Sequence, residues 1–335
     1  MSRLLEAIAK NRFVVFGRAG MDLYAHPVGV RSEDAEIFHS GLGGSSANIC
    51  VGICKFGGQA SIVTSVSDDA VGRFCRNALR RYGVGTEYVR SVGGEFRNQV
   101  AIYESVLEGF QNVLYRNGAA DFEVTVEDTD RVDLSRFGAL VTAGTVFAGE
   151  PARSSTFAAI DRARAQAVPI IFDIDYRPYS WPSPQVAAEV LSRAGAASDM
   201  IVGNDEEFGF MAGGQDQGLA MARDLAETPG RIVIYKMGEG GAVTFADGAE
   251  IRTGIYPVTA VKPNGAGDSF MAGLLSGLAA GQSLREAVLR GSACAAIVVS
   301  RPGCAAALPD EADLAAFLAA HPGPTDPESP HTTTP

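Results

Sequence analysis

The segment VKPNGAGDSFMAGLL, residues 261–275, places one carboxylate, Asp268, directly after three small residues, Gly265, Ala266 and Gly267. Apolar residues with helical spacing follow, so the segment predicts a turn that leads into a helix. Backbone amides without bulky side chains at a helix N-terminus can point together at an anion. A carboxylate beside such an anion hole suits a general base, which takes a proton from a hydroxyl while the amides stabilise a transferring phosphoryl group.

The same segment has a simpler interpretation, in which Asp268 is only the N-cap of the helix that follows a glycine-rich turn. Small-residue turns of this kind are common where a strand leads into a helix. The motif alone therefore leaves both interpretations open.

Composition and charge exclude several classes of protein. The chain has 335 residues, of which 46% are hydrophobic and 20% charged, as is typical of a globular protein with a large core. A formal net charge of −11, with no run of Lys or Arg, argues against a nucleic-acid or anionic-membrane partner. A small anionic substrate needs only a local positive pocket.

The cysteines and the first residues predict a cytoplasmic location. The five cysteines form no CxxC pair, which favours a reducing compartment over a disulfide framework. Cys50 and Cys54 lie four residues apart but lack the neighbouring His or Cys partners of a metal site. The sequence shows neither a signal peptide nor an apolar run of about 18 residues that could cross a bilayer.

Short apolar runs alternate along the chain with alanine-rich amphipathic segments. Six runs predict strands: 12–17, 60–66, 138–144, 168–175, 199–204 and 231–238. Five segments between them predict helices: 46–57, 69–83, 152–167, 184–195 and 219–227. This alternation predicts a mostly parallel central sheet with helices on both faces and a ligand at the carboxyl ends of the strands.

Two stretches break the alternation and predict extended segments joined by turns. They cover about residues 19–42 and 97–117, and together they predict a small β-sheet lid over the strand ends. The Pro- and Thr-rich end, 321–335, predicts disorder, and residues 1–11 predict a leader before the folded domain. Since the edge strands of a lid commonly pair between subunits, we also expect a homo-oligomer.

Two motifs resemble the signatures of the ribokinase-like (PfkB) family of carbohydrate kinases. KPNGAGDSFMAG (262–273) resembles the C-terminal signature, and GLGGSSANICVGICKFGG (41–58) resembles the N-terminal one. The resemblance covers about residues 12–318 as one kinase domain. It implies a three-layer α/β/α sandwich with a small β-sheet lid, and phosphorylation of a hydroxymethyl group by ATP and Mg²⁺.

The resemblance assigns the phosphoryl-transfer role to the first motif. Asp268 would be the general base, and the amides of Gly265, Ala266 and Gly267 would form the anion hole. Lys262 and Pro263 stand where many relatives carry Asp-Thr, so we expect none of the monovalent-cation sites that some relatives build from that loop.

The resemblance also assigns substrate-binding residues. GRAGMDLYA (17–25) resembles the substrate-binding strand end of the family, so Asp22 and Asn48 would hold sugar hydroxyls. Gly43 and Gly44 would let the substrate approach the backbone closely. In the alternative interpretation, the Asn48 side chain only forms a hydrogen bond with a backbone group at the start of a helix.

On the nucleotide side, two further elements match the family. NDEE (204–207) resembles its N-x-x-E element, so Asn204 and Glu207 would order the magnesium through water. KMGEGGA (236–242) resembles its glycine turn, which places Asn204, Lys236, Gly238 and Gly241 near the nucleotide. Glu207 could instead be a solvated residue of an acidic first helical turn.

Two arginines indicate an anionic ligand. Arg177 follows a predicted central strand in IIFDIDYRPYSWP (170–182), and Arg116 lies on the predicted lid. A guanidinium offers the bidentate geometry that a carboxylate accepts. Arg177 could instead pair with Asp173 or Asp175, or contact ATP.

The segments around these arginines resemble the sugar-acid kinases of the family. The substrate that this resemblance implies is 5-dehydro-2-deoxygluconate, of myo-inositol catabolism. 2-Keto-3-deoxygluconate, fructose and other sugars remain alternatives, and a nucleoside suits the arginines less well.

Two alternatives lie outside this activity. A non-catalytic sugar-phosphate sensor would have no need to keep Asp268. A dehydrogenase is disfavoured because FVVFGRAG (13–20) lacks a complete GxGxxG.

Overall fold

The computed structural model describes residues 1–104, 111–261 and 264–325, which form thirteen strands and eleven α-helices. The strands are β1 (Arg12–Phe16), β2 (Gly20–His26), β3 (Ile37–Gly43), β4 (Gln59–Ser67), β5 (Val89–Val92), β6 (Val100–Tyr103), β7 (Asn112–Tyr115), β8 (Ala139–Ala143), β9 (Ile170–Asp173), β10 (Met200–Asn204), β11 (Ile232–Lys236), β12 (Ala242–Ala246) and β13 (Ala249–Thr253). The helices are α1 (Ser2–Ile8), α2 (Ser45–Lys55), α3 (Ala70–Arg81), α4 (Val126–Asp130), α5 (Ala152–Ala165), α6 (Pro184–Ala196), α7 (Asp205–Ala212), α8 (Gly218–Ala226), α9 (Ala266–Ala279), α10 (Leu284–Val299) and α11 (Glu311–Ala320).

The central sheet has nine strands in the order β13-β12-β11-β10-β9-β8-β1-β4-β5. The strands from β5 to β11 in this order are parallel, and β12 and β13 add an antiparallel hairpin at one edge. The six strands and five helices that the sequence predicts are present, within a few residues at each end. The predicted mostly parallel sheet is therefore confirmed.

Both faces of the central sheet are buried, which explains why its strands read as continuous apolar runs. On β1, Val15 packs into the core that contains residues of α2, α9 and α10. Its neighbour Val14 packs into the second core, with residues of α5 and α6. Alternate side chains of one strand thus face opposite helical layers, and the three-layer sandwich follows.

The two stretches that break the alternation form a separate four-stranded sheet, in the order β3-β2-β6-β7. The chain passes into it after β1, through residues 17–19, and again after β5, through residues 93–99. Because both passages begin at carboxyl ends of parallel strands, the small sheet stands beside the edge where a ligand is expected.

Sequence patterns missed some elements at the periphery. β5 and β13 are short and partly exposed, β12 is buried but only five residues long, and α1 falls in the segment predicted as a leader. Leu4 and Ile8 of α1 are buried in the core, so the packed unit begins earlier than residue 12. At the other end, the Thr325 amide donates to the carbonyl of Ile255 at 2.7 Å, and residues 326–335 lie outside the described ranges. Over the described ranges, no helix combines the length and apolar character needed to span a bilayer.

Candidate active site

A cavity of about 1240 Å³ opens at the carboxyl ends of the parallel strands. The central sheet, the small sheet and the N-termini of α2 and α9 form its walls. Of the predicted site residues, all except Gly43 and Arg116 line this cavity. Residues far apart in sequence therefore meet in one place, as a substrate site requires.

Asp268 lies in the first turn of α9, against the cavity. The N-cap of this helix is Gly265, at φ 84°, a left-handed conformation that favours glycine. The interpretation of Asp268 as the N-cap is therefore wrong. Within the described residues no side chain caps the α9 N-terminus, so the small-residue turn can offer its amides to an anion.

The Asp268 carboxylate is oriented by Asn48. The Asn48 Nδ2 atom donates to Asp268 Oδ2 at 2.8 Å across the cavity wall. Burial, reinforced by the nearby Asp175 carboxylate, raises the pKa of Asp268 to about 6, although Asn48, Arg177 and Arg18 oppose the shift. The carboxylate is therefore ionised at neutral pH and is more basic than an ordinary aspartate.

Asn48 does more than satisfy a helix terminus. Its Oδ1 atom is buried and has no hydrogen-bond partner among the residues that the structure describes. Since Nδ2 is held by Asp268, Oδ1 is left as an acceptor beside the Asp268 carboxylate. A buried amide oxygen of this kind can receive a hydrogen bond from a substrate hydroxyl.

The two glycines before α2 have different physical roles. A Cβ on Gly43 would lie 1.9 Å from Asp22 Oδ1, so Gly43 makes room for that carboxylate instead of lining the cavity. Gly44 has φ 99°, and a Cβ there would lie 2.6 Å from the carbonyl oxygen of Arg18. Asp22 lines the cavity and accepts a hydrogen bond from the Tyr24 hydroxyl at 2.9 Å.

Arg177 follows β9 and pairs with Asp175, as one of the interpretations from sequence expects. Its Nη2 atom lies 2.9 Å from Asp175 Oδ1, and Thr145 Oγ1 donates to Asp175 Oδ2 at 3.1 Å. Burial acts to raise the pKa of Asp175, but the positive charges of Arg177 and Arg18 outweigh it and hold the pKa below its usual value. The Arg177 side chain is 46% exposed and lines the cavity, so this ion pair leaves part of the guanidinium open to a ligand.

Arg116, which the sequence places against the ligand, lies behind the cavity wall. It forms a buried ion pair with Asp121 at 2.6 Å, and its Nη2 atom also donates to the carbonyl of Thr145 at 2.9 Å. Because its hydrogen bonds go to protein groups and it does not line the cavity, Arg116 holds the segment that carries Thr145. Its contact with the site runs through Thr145 and Asp175.

Asn204 and Glu207 form a reciprocal capping box at the start of α7. Asn204 Oδ1 accepts from the Glu207 amide, and Glu207 Oε2 accepts from the Asn204 amide, both at 2.8 Å. Glu207 is only 7% exposed, so the interpretation of it as a solvated helix residue is wrong. Burial raises its pKa, and the positive charge of Lys236 opposes that shift.

The acidic wall of the cavity fits a magnesium ion. Burial also raises the pKa of Asp173, and the negative charges of Glu207 and Asp175 reinforce the shift. A cation bound here would therefore stabilise the ionised forms of Asp173 and Glu207. No group of three or more His, Cys, Asp or Glu side chains arranged to hold a metal occurs in the described parts of the chain. Mg²⁺ needs no such cage, because it keeps several waters and binds through one or two carboxylates plus phosphate oxygens.

The predicted nucleotide turn lies next to the predicted anion hole. Lys236 ends β11, and its Nζ atom is 3.7 Å from the point where a Cβ on Gly267 would lie. Gly238 and Gly241 have φ 54° and 79°, so the turn between β11 and β12 uses conformations that suit glycine. Lys262 and Pro263, the predicted departure from the family, lie outside the described residues.

Sequence reasoning missed Arg18. It lies between β1 and β2, lines the cavity and is 7% exposed. The only sequence signal was its position inside GRAGMDLYA, a motif whose importance was assigned to Asp22.

A model of the pfkB family carbohydrate kinases matches residues 10–311. The chain belongs to this family. It is 35% identical over 310 residues to a 5-dehydro-2-deoxygluconokinase from Photobacterium profundum, covering 91% of this chain and 94% of the relative. It is 32% identical over 314 residues to the enzyme of the same name from Geobacillus kaustophilus, covering 92% and 94%.

Solved structures of other carbohydrate kinases share the fold. A fructokinase with bound ATP from Xylella fastidiosa superposes with a TM-score of 0.81 at 22% identity, covering 92% of this chain and 98% of that one. An aminoimidazole riboside kinase from Salmonella enterica, complexed with aminoimidazole riboside and an ATP analog, gives 0.76 at 24% identity, covering 92% and 99%. The predicted ribokinase-like fold is confirmed, and the chain is a carbohydrate kinase.

Proposed function

We propose that this pfkB-family kinase transfers the γ-phosphoryl group of ATP to the terminal hydroxymethyl group of 5-dehydro-2-deoxygluconate. The observation that carries the proposal is the juxtaposition, in the cavity, of Asp268, a carboxylate of raised pKa, with the N-terminus of α9, which no described side chain caps. The names of the two relatives at 35% and 32% identity support the choice of sugar acid.

In the proposed reaction the chain supplies a base and an anion hole. The hydroxymethyl oxygen attacks the γ-phosphorus, and Asp268 takes the hydroxyl proton as the new P–O bond forms and the bond to ADP breaks. The amides of Gly265, Ala266 and Gly267, with the Lys236 ammonium beside them, stabilise the negative charge of the transferring group. Asp22 and Asn48 hold the sugar hydroxyls so that the attacking oxygen is aligned.

The nucleotide is proposed to bind on the side of the cavity formed by Asn204, Lys236, Gly238 and Gly241. Glu207 and Asp173 would hold Mg²⁺ through its waters, and the ion would supply positive charge that neutralises the phosphates. Asn204 would act through the capping box that fixes Glu207. Closure of the small sheet would exclude water from the phosphoryl group. A cytoplasmic location and a homo-oligomeric state remain predictions.

The pH dependence of turnover tests the base. Since Asp268 must be ionised and its pKa is about 6, kcat/KM should fall about tenfold per pH unit below pH 6 and level off above pH 7. The measurement is initial ADP release between pH 5 and 8 at low sugar concentration. The control is the pH profile of the residual activity of Asp268→Asn. In this variant the nucleotide can still titrate, but residue 268 cannot. If kcat/KM of the variant also fell below pH 6, the fall would be due to the titration of a group other than Asp268.

A substrate panel tests the proposed function directly. Initial rates of ADP release with ATP and Mg²⁺ are compared for 5-dehydro-2-deoxygluconate, 2-keto-3-deoxygluconate, fructose, ribose and adenosine. We expect kcat/KM for the first acid to exceed that for each other compound by about 100-fold, because a missing charged or hydrogen-bonding group leaves buried partners unpaired. Preference for fructose or ribose would reject the sugar acid but keep the kinase. Binding without turnover of any compound would favour the non-catalytic sensor.

A further inference from the structure

Three arginines are buried in the described part of the chain, and they differ in what neutralises them. Arg231, 9% exposed, donates to three backbone carbonyl oxygens at 2.8–3.0 Å. Arg116, 7% exposed, is paired with Asp121. Arg18, also 7% exposed, donates through Nη1 to Gln99 Oε1, a neutral amide oxygen.

Arg18 is the one of the three that lines the cavity. Within the described residues its Nε atom has no hydrogen-bond partner, and no carboxylate lies within ion-pair distance of its guanidinium. The Asp175 and Asp268 carboxylates act on Arg18 only from beyond ion-pair distance. A buried guanidinium without a direct ion pair is costly, since burial removes its hydration and the distant charges return only part of that free energy. Buried charges of this kind cluster at functional sites.

The surroundings of Arg18 favour an anion. Gly44 and Ser45, at the N-terminus of α2, line the same cavity, and Arg18 O accepts the Ala47 amide at 3.3 Å. α2 has eleven residues and no acidic residue in its first turn, and no side chain in the described part of the protein caps it. Arg18 and the positive N-terminal end of the α2 dipole therefore both line the cavity, and the Arg18 backbone lies against the first turn of α2.

We propose that Arg18, together with the N-terminus of α2, binds the carboxylate of the sugar-acid substrate. This inference rests on the proposed function and names the residue that distinguishes an acid from a neutral sugar. A carboxylate can accept two parallel hydrogen bonds from the guanidinium and supply a direct ion pair, which Arg18 lacks among the described residues. Arg177, whose guanidinium is shared with Asp175, is then left for the transferring phosphoryl group.

A purely structural role is the competing explanation. Arg18 lies in the first passage from the central sheet to the small sheet, and Gln99 lies in the second passage, just before β6. Their hydrogen bond could serve only to tie the two passages together. In that case, loss of Arg18 would harm every substrate equally.

The test compares 5-dehydro-2-deoxygluconate with its neutral carboxamide on wild type and on Arg18→Gln. Wild type should prefer the acid by about 100-fold in kcat/KM, and Arg18→Gln should lose about 100-fold on the acid, mostly through KM, but less than about threefold on the amide. Arg231→Gln is the matched control, since it removes a buried arginine outside the cavity. It should lower Tm and keep the preference for the acid.

Each result decides the proposal. Equal losses on acid and amide, with the preference kept, would overturn the carboxylate subsite and leave the structural tie. An acid-specific loss in Arg177→Gln but not in Arg18→Gln would overturn it and assign the carboxylate to Arg177. If wild type turns over a neutral sugar and neither of these compounds, the proposed function fails and the subsite with it.

Arg18→Lys is a second variant, for the case in which Arg18→Gln does not fold. It keeps the positive charge and should retain part of the preference for the acid over the amide. If Arg18→Lys lost the whole preference while its Tm stayed unchanged, a charge-based role for Arg18 would be rejected.

Discussion

Asp268→Asn is expected to lower kcat by about 10³- to 10⁴-fold while leaving the Kd of ATP within about threefold of wild type. The amide is nearly the same size as the carboxylate and can still bond to Asn48, but it cannot take the proton of the attacking hydroxyl. The measurement is single-turnover phosphoryl transfer together with equilibrium binding of ATP. A variant with near-normal kcat would remove Asp268 as the base.

Asp268→Asn should also change the stability of the protein. Measuring that change distinguishes the loss of a base from a folding defect of the variant. The folded-state pKa of about 6 lies above the ordinary value of 3.8, so the native state binds this proton more tightly than the unfolded state does. Stability of the wild type is therefore lost as pH rises from 4 to 6, and the full cost of the buried charge is present above pH 6. Asp268→Asn should be more stable by about 2 kcal/mol at pH 8.

Denaturant unfolding at pH 8 and pH 5 measures this difference. The gain should be largest at pH 8 and should shrink at pH 5, because the wild-type carboxyl is then mostly protonated. An inactive variant that is also less stable at pH 8 would indicate a packing defect in place of a lost base.

The sequence was sufficient for the central sheet because each strand is buried on both faces. The runs around Val14 and Ile171 are continuous and apolar, and such runs leave few alternatives to a parallel strand. Strand β13 was missed because it is largely exposed at the sheet edge, where an apolar pattern is not required. Short edge strands therefore lack the signal that identifies central ones.

At the site, the sequence was sufficient to place residues whose position depends on local backbone conformation, and insufficient where it depends on side-chain direction. The Gly265–Asp268 turn is fixed by local conformation, so a motif of adjacent residues is enough to predict it. Arg116 and Arg18 are both buried arginines near the small sheet, yet one lies behind the wall and the other lines the cavity. No spacing rule separates them, because the partners Asp121 and Gln99 are set by tertiary packing.

Gly44→Ala is expected to lower kcat/KM by about 100-fold or more, although the change adds only one methyl group. Gly44 is the N-cap of α2 at φ 99°, and its new Cβ would lie 2.6 Å from Arg18 O and 3.2 Å from the Cα of Ala19. Neither contact is with a flexible side chain, so the backbone on one side must move. Movement of the first turn of α2 displaces Asn48, whose 2.8 Å hydrogen bond orients Asp268.

Gly57→Ala, after the other end of the same helix, is the matched control. Gly57 also has a positive φ, 77°, but a Cβ there would meet no atom within 4 Å. It should therefore carry only the strain of a left-handed alanine, about 1 kcal/mol, and keep kcat/KM within about twofold of wild type. Steady-state kinetics and thermal unfolding of both variants separate the two effects. If both lost Tm alike and neither lost activity, the close packing of Gly44 against Arg18 would not be needed to position the base. If only Gly44→Ala lost activity, the approach of α2 to the first passage between the sheets would be what holds Asn48 and Asp268 in register.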